Sequence, residues 1–167
     1  MNSHFTVSRG LFSQILTFSS LGFMPAFSTP FFVTFSHNRF LYKRQNVDRS
    51  IRDDEQLGAH TDLLCFESMR KTEGRQAGAV MTRYVWSHPG LKPFGNLLPT
   101  QCLDCWGLQT WDVVKKTKDI ILLRCKAKAC AYTLDFRRPS ALQFVSGKFV
   151  DDGRHGQWLK ETLIQIE

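Results

Sequence analysis

The sequence predicts an α+β protein: an antiparallel β-hairpin or small three-stranded sheet in the C-terminal half, short flanking helices and a disordered N-terminal tail. Three observations point there. Two closely spaced cysteine pairs bracket two runs of β-forming residues, TWDVV and IILL. Apolar residues upstream recur at helical spacing. The first forty positions hold nine of the fourteen phenylalanines and no acidic residue.

Residues 1–42 read as a tail or targeting segment. No residue between Arg9 and Arg39 is charged, but Pro25, Pro30 and many Ser and Thr interrupt the stretch. A spanning helix needs about 20 predominantly apolar residues, so this is a poor one. Three readings stay open: a Ser-rich, acid-free mitochondrial presequence, membrane association through residues 11–35, or an extension with no targeting role. Residues 43–58 read as a charged linker, because KRQNVDRSIRDDE holds too little apolar surface to offset its ordering entropy.

Residues 59–90 read as a short helical segment. Thr61 is a candidate N-cap for Leu63, Leu64, Phe66 and Met69, with a stop at Gly74. Ala77, Val80, Met81, Tyr84 and Val85 have the spacing of a second helix face, closed by Ser87-His88-Pro89-Gly90, although the same residues suit a strand. Cys65 reads as a buried, inert thiol rather than a redox one. The turn-rich stretch from Leu91 to Pro99 then marks a boundary, opening a module over residues 91–167.

That module centres on Cys102-Leu-Asp-Cys105, nineteen residues, then Cys125-Lys-Ala-Lys-Ala-Cys130. A short Cys-to-Cys turn brings two thiolates to one ion, and two such turns complete a tetrahedron, which is the donor set zinc takes in structural sites. Two disulfides, an iron–sulfur cluster and unligated thiols are the competing readings. The fifth cysteine, Cys65, sits awkwardly in a disulfide scaffold. The expected compartment is therefore intracellular and reducing: nucleus or cytoplasm, with the mitochondrion as an alternative. Strands Thr110–Val114 and Ile120–Leu123 around the polar turn 115–119 would bring the pairs together, and the alternation of Tyr132, Leu134 and Phe136 predicts a third strand.

This order of knuckle, hairpin, knuckle and strand resembles the zinc-ribbon group over residues 100–137. The resemblance implies one Zn2+ on Cys102, Cys105, Cys125 and Cys130. Two departures stand out: the second pair is spaced CxxxxC, and Trp106 and Ala131 occupy the positions after each pair where ribbons often place Gly, with Gly107 coming one residue late.

A net charge of +7 favours polyanionic partners. Lys115, Lys116, Lys118, Lys126, Lys128, Arg137 and Arg138 could border a phosphate-binding face, with Trp106, Trp111, Tyr132 and Phe136 as stacking surfaces. Asp104, Asp112, Asp119 and Asp135 are interspersed among them. Contact with nucleic acid or a nucleoprotein is one expectation, and a protein-interaction adaptor in which zinc only supports the fold is the other. LQFVSGKFV suggests a small hairpin at Ser146-Gly147. Asp151 or Asp152 would then cap a final helix bearing Trp158, Leu159, Leu163 and Ile166. No nucleophile elbow, phosphate-cradling glycine loop, HExxH helix or deaminase signature is present, so no enzyme is expected.

Overall fold

The computed structural model describes residues 13–20, 24–43, 46–52, 54–69, 78–108, 111–147, 149 and 156–166. Strands β1 (Gln14–Phe18), β2 (Leu63–Met69), β3 (Gly78–Ser87), β7 (Gln143–Phe144) and β8 (Gln157–Ile166) form one antiparallel sheet in the order β1-β2-β3-β8-β7. A second antiparallel sheet consists of β4 (Trp111–Lys116), β5 (Ile120–Cys125) and β6 (Thr133–Arg137), in that order. Helices α1 (Pro25–Ser36), α2 (Val47–Ile51) and α3 (Glu55–His60) complete the regular structure, with a π-helical turn at His37–Leu41 and a 3-10 turn at Pro93–Gly95.

The larger sheet is covered on both faces over part of its area, and this explains why its strands were legible as helices. Leu63, Cys65, Tyr84, Trp86 and Trp158 point to the helices, where they pack with Phe31, Val47, Ile51 and Leu57. Their chain neighbours Val85 and Leu159 point the other way, into a second core with Phe94, Trp111, Ile121, Leu123 and Leu142. A strand buried on both faces places large apolar residues side by side in sequence, and such runs also match a helical stripe. The two helices expected within residues 59–90 are therefore the hairpin partners β2 and β3, and the expected terminal helix is β8. Here β-branched and aromatic residues, Val80, Thr82, Tyr84, Val85 and Trp86 among them, favour the extended chain. The proposed stop at Gly74 and the caps at Asp151 and Asp152 lie outside the described residues.

The expected tail and linker also contribute structure. Residues 14–18 form the edge strand β1, while Phe31 of α1 is fully buried between the helices and the sheet. Pro25 opens α1, where its missing N–H costs nothing. In the charged segment, Asn46 caps α2 by accepting from the Asp48 N–H, and Asp54 caps α3 by accepting from Leu57. Val47, Ile51 and Leu57 are enough to anchor these short helices, each fully buried apolar side chain contributing about 1.5–3 kcal/mol. Among the described residues no helix is long and apolar enough to cross a membrane. Residues 1–12 and 21–23 of the tail lie outside the described residues.

Trp86 occupies a slot with no room for a side chain on either wall. A Cβ on Gly58 would lie 2.3 Å from its ring, and one on Gly156 would lie 2.1 Å away. His88 stacks on the same indole, with centroids 5.4 Å apart. Near the other end of the same face, Asp48 is buried and accepts hydrogen bonds from the Tyr84 hydroxyl at 2.9 Å and Lys160 Nζ at 2.5 Å.

Candidate metal centre

The smaller sheet builds the cysteine site. Antiparallel pairing sets Trp111 opposite Cys125, so β4 and β5 bring the end of the first knuckle to the start of the second. In the first knuckle the Trp106 N–H donates to Cys102 O at 3.0 Å and the Cys102 N–H to Gly107 O at 3.1 Å. In the second, the Cys130 N–H donates to Ala127 O at 2.9 Å and the Ala127 N–H to Cys125 Sγ at 3.5 Å. Both knuckles are thus folded turns whose backbone N–H groups face sulfur or carbonyl acceptors.

The four Sγ atoms lie within 4.8 Å of one another. Cys102 and Cys130 are 3.7 Å apart, and Cys105 and Cys125 are 3.8 Å apart. A sulfur tetrahedron with metal–sulfur bonds of about 2.3 Å has edges of about 3.8 Å, so the spacing fits one mononuclear ion. It is far from the ~2.05 Å of a disulfide, and all five cysteines are free. The four cysteines can therefore coordinate a metal ion. Cys102 and Cys125 are buried in the second core, Cys105 is exposed and Cys130 half-buried. An ion here would tie the core to the surface knuckles.

The electrostatics of the thiols follow from their crowding. Burial raises the Cys102 pKa, but the backbone N–H groups of Cys105 and Asp104 and the neighbouring thiols outweigh it and bring the value down to about 7. At Cys130 the Tyr132 N–H lowers the value, whereas burial and the other three sulfurs push it up to about 12. Cys125 is also raised, burial being the largest cause. One thiolate forms readily and the next ones are opposed by it, a repulsion that a divalent cation at the centre would reverse. The Cys130 thiol also donates to Asp104 Oδ2 at 3.5 Å.

Trp106 adopts φ 57°, the left-handed conformation usual for glycine. The turn after the first pair thus keeps its left-handed geometry with a tryptophan in place, while Gly107 does not need it. Trp106 is 71% exposed, with Leu103 at 57% and Leu108 at 79% beside it in the same knuckle. Sequence reasoning named Trp106 as a stacking surface and passed over the two leucines. Isolated apolar residues in a turn carry no periodic signal, and only their joint exposure sets them apart.

The basic candidates are mostly engaged. Lys126 pairs with Asp112 at 3.1 Å, Arg137 with Asp135 at 3.3 Å, and Lys118 with Asp119 at 3.9 Å. Arg138 pairs with Asp119 at 2.7 Å and covers the Phe144 ring, while Lys116 lies over Phe149. Lys115 and Lys128 are exposed. Trp111, expected as a stacking surface, is only 9% exposed, and its indole N–H donates to Pro99 O at 3.1 Å. Its ring belongs to the core beside Tyr132, because the pairing that sets it opposite Cys125 turns it inward.

Cys65 is fully buried on β2, and burial together with the nearby Glu67 and Asp48 carboxylates pushes its thiol up to about 12. It is 37 positions before the first ligand and belongs to the helix-side core, apart from the other four.

No protein-family model, curated protein or solved structure matches the chain. What the fold and the site define is a class: a mixed α/β protein of two antiparallel sheets carrying a four-cysteine cluster able to hold a metal ion structurally.

Proposed function

We propose that the four thiolates hold one zinc ion in a closed structural site, and that the knuckle stiffened by it docks a protein partner through Trp106, Leu103 and Leu108. Four thiolates leave no open coordination position, so the ion contributes folding energy and fixed geometry rather than Lewis acidity. Soft thiolate donors suit zinc. The docking role rests on one observation: a tryptophan held in a left-handed conformation, directly after a metal ligand, with most of its ring in water. Strained backbone recurs at functional turns, and tryptophan is among the residue types enriched at the hot spots of protein interfaces.

A second reading has support of its own. Residues 100–147 carry eight Lys or Arg against four Asp, a net +4, and Trp106 offers a face on which a nucleotide base could stack. One titration separates the two. Trp86, Trp111 and Trp158 are buried, so quenching of tryptophan fluorescence by a single-stranded oligonucleotide would report Trp106. Quenching that weakens steeply with added salt supports the nucleic-acid reading and defeats the protein-docking one. The zinc assignment is tested by metal analysis of the full chain and its Cys105→Ser and Cys125→Ser variants. About one zinc per chain, lost in both variants, is expected; a chain that folds reduced and metal-free refutes it.

A further inference from the structure

A cavity of about 600 Å3 opens beside α2, on the helix-side face of β2, β3 and β8, away from the cysteine cluster. That volume is in the ordinary range for small-molecule sites. Its walls include Asp48, Glu67, Thr82, Tyr84, Lys160 and Thr162. The sheet is irregular at this point. The register of β3 with β8 shifts between Met81 and Thr82, so that Leu163 is passed over and Thr82 faces Thr162. A bulge of this kind re-aims side chains, and bulges concentrate beside functional sites.

The charges around the cavity are not equally satisfied. Lys160 is committed to Asp48, which is 7% exposed and also accepts from Tyr84. Glu161 is paired with Arg83 at 3.2 Å, and Arg83 is held in turn by Asp62 at 2.6 Å. Glu67 has an amide for a partner, Gln14 Nε2, and among the described residues no ion pair. The uncompensated charge on the cavity wall is therefore a half-buried carboxylate. Around it are hydroxyl oxygens: Thr82, Thr162 and the Tyr84 oxygen, whose proton is already given to Asp48. This wall is rich in acceptors and repels anions.

We infer that the cavity binds a small organic cation, an aliphatic amine, with its ammonium on Glu67 and its N–H donors shared with the Thr82 and Thr162 hydroxyls. An ammonium has three donors and no acceptor, which matches a wall of one carboxylate and several oxygens. A neutral diol of equal length lacks the charge, and a dicarboxylate meets the uncompensated Glu67 as a like charge.

The test is an amide NMR titration of the full-length protein with putrescine, 1,4-butanediol and succinate. Putrescine is expected to shift the Thr82 and Thr162 amides saturably, in about the micromolar-to-millimolar range, and the other two are expected to leave them in place. Glu67→Gln should weaken putrescine binding at least about tenfold, the loss of one charge-assisted hydrogen bond. Lys160→Met should strengthen it, because Asp48 then needs a new counter-ion. Opposite effects of the two variants support the site even if one of them is less stable. Equal binding of butanediol, no saturable shift with putrescine, or an unchanged affinity in Glu67→Gln overturns it.

Discussion

Replacing Trp106 by glycine and, separately, by alanine should invert the usual order in which alanine is the more stabilising residue. Both variants lose the same covered part of the indole. With Trp106 71% exposed, that part is roughly 60 Å2 of a large aromatic surface, or about 1.5 kcal/mol, and it cancels between the variants. The backbone remains. At φ 57° an alanine bears the left-handed penalty of about 1–2 kcal/mol, which glycine avoids. Glycine in turn gives up about 0.5–1 kcal/mol through the greater freedom of its unfolded chain. Trp106→Gly should therefore be more stable than Trp106→Ala by about 0.5–1 kcal/mol. Urea unfolding of the zinc-loaded proteins measures this as a higher midpoint at unchanged slope. An alanine variant as stable as the glycine variant, or more so, would show that the knuckle does not hold its left-handed turn and would remove the strain from the docking argument.

Other outcomes follow from the same structure. Chelation of the proposed zinc should abolish the protection of β4, β5 and β6 amides from hydrogen exchange, since Cys102 and Cys125 lie in the core those strands share; protection that survives chelation counts against a folding role for the ion. Gly58→Ala should destabilise by about 1–3 kcal/mol despite alanine's better helix propensity, because its Cβ would meet the Trp86 ring at 2.3 Å, and a calorimetric melting point equal to that of the parent protein would contradict the slot. Asp48→Ala, which strands the Tyr84 hydroxyl and Lys160, should lose about 2 kcal/mol or more, read from the same urea midpoint. The Cys65 thiol has its pKa raised from 9.0 to about 12, so the native state holds its proton more tightly. Stability from this group is intact below pH 9.0 and falls as the pH climbs toward 12. Iodoacetamide at pH 9.0 should accordingly leave Cys65 untouched in the folded, metal-loaded chain and alkylate it in urea; native modification would mean that β2 is open.

The cysteine site was legible because its signal is local: two pairs at short spacing, joined by a hairpin whose polar turn is 117–119, Lys115 and Lys116 of the expected turn being the last residues of β4. The three strands β4, β5 and β6 were readable from the same stretch, Tyr132 to Phe136 by simple alternation. The five-stranded sheet was not. Its strands β2, β3 and β8 carry adjacent large residues, such as Val85 beside Trp86 and Trp158 beside Leu159, because helices cover one face and the four-cysteine sheet the other. Nothing in a single segment announces a second covering layer. Trp111 shows the same limit at one residue. Its exposure depended on which side of β4 met Leu123 and Phe94, a matter of packing that sequence order does not display. The charged segment misled through its composition, since three buried residues, Val47, Ile51 and Leu57, held between many charges, suffice to fix two short helices.

The pairing of β3 with β8 has a consequence for synthesis. Ser87 is partnered by Gln157, so about seventy residues, the cysteine cluster and the whole three-stranded sheet among them, separate two adjacent strands of the larger sheet. On the ribosome β3 is complete while its partner is still unmade. At roughly 5–20 residues per second the inner edge of β3, with Val80, Tyr84, Val85 and Trp86, waits about 4–14 s for β8. An open edge of that composition is a template for pairing with other chains. Stop codons or ribosome stalls ahead of Gln157 should therefore yield aggregates rather than a shorter folded protein, even when all four clustered cysteines have already been translated.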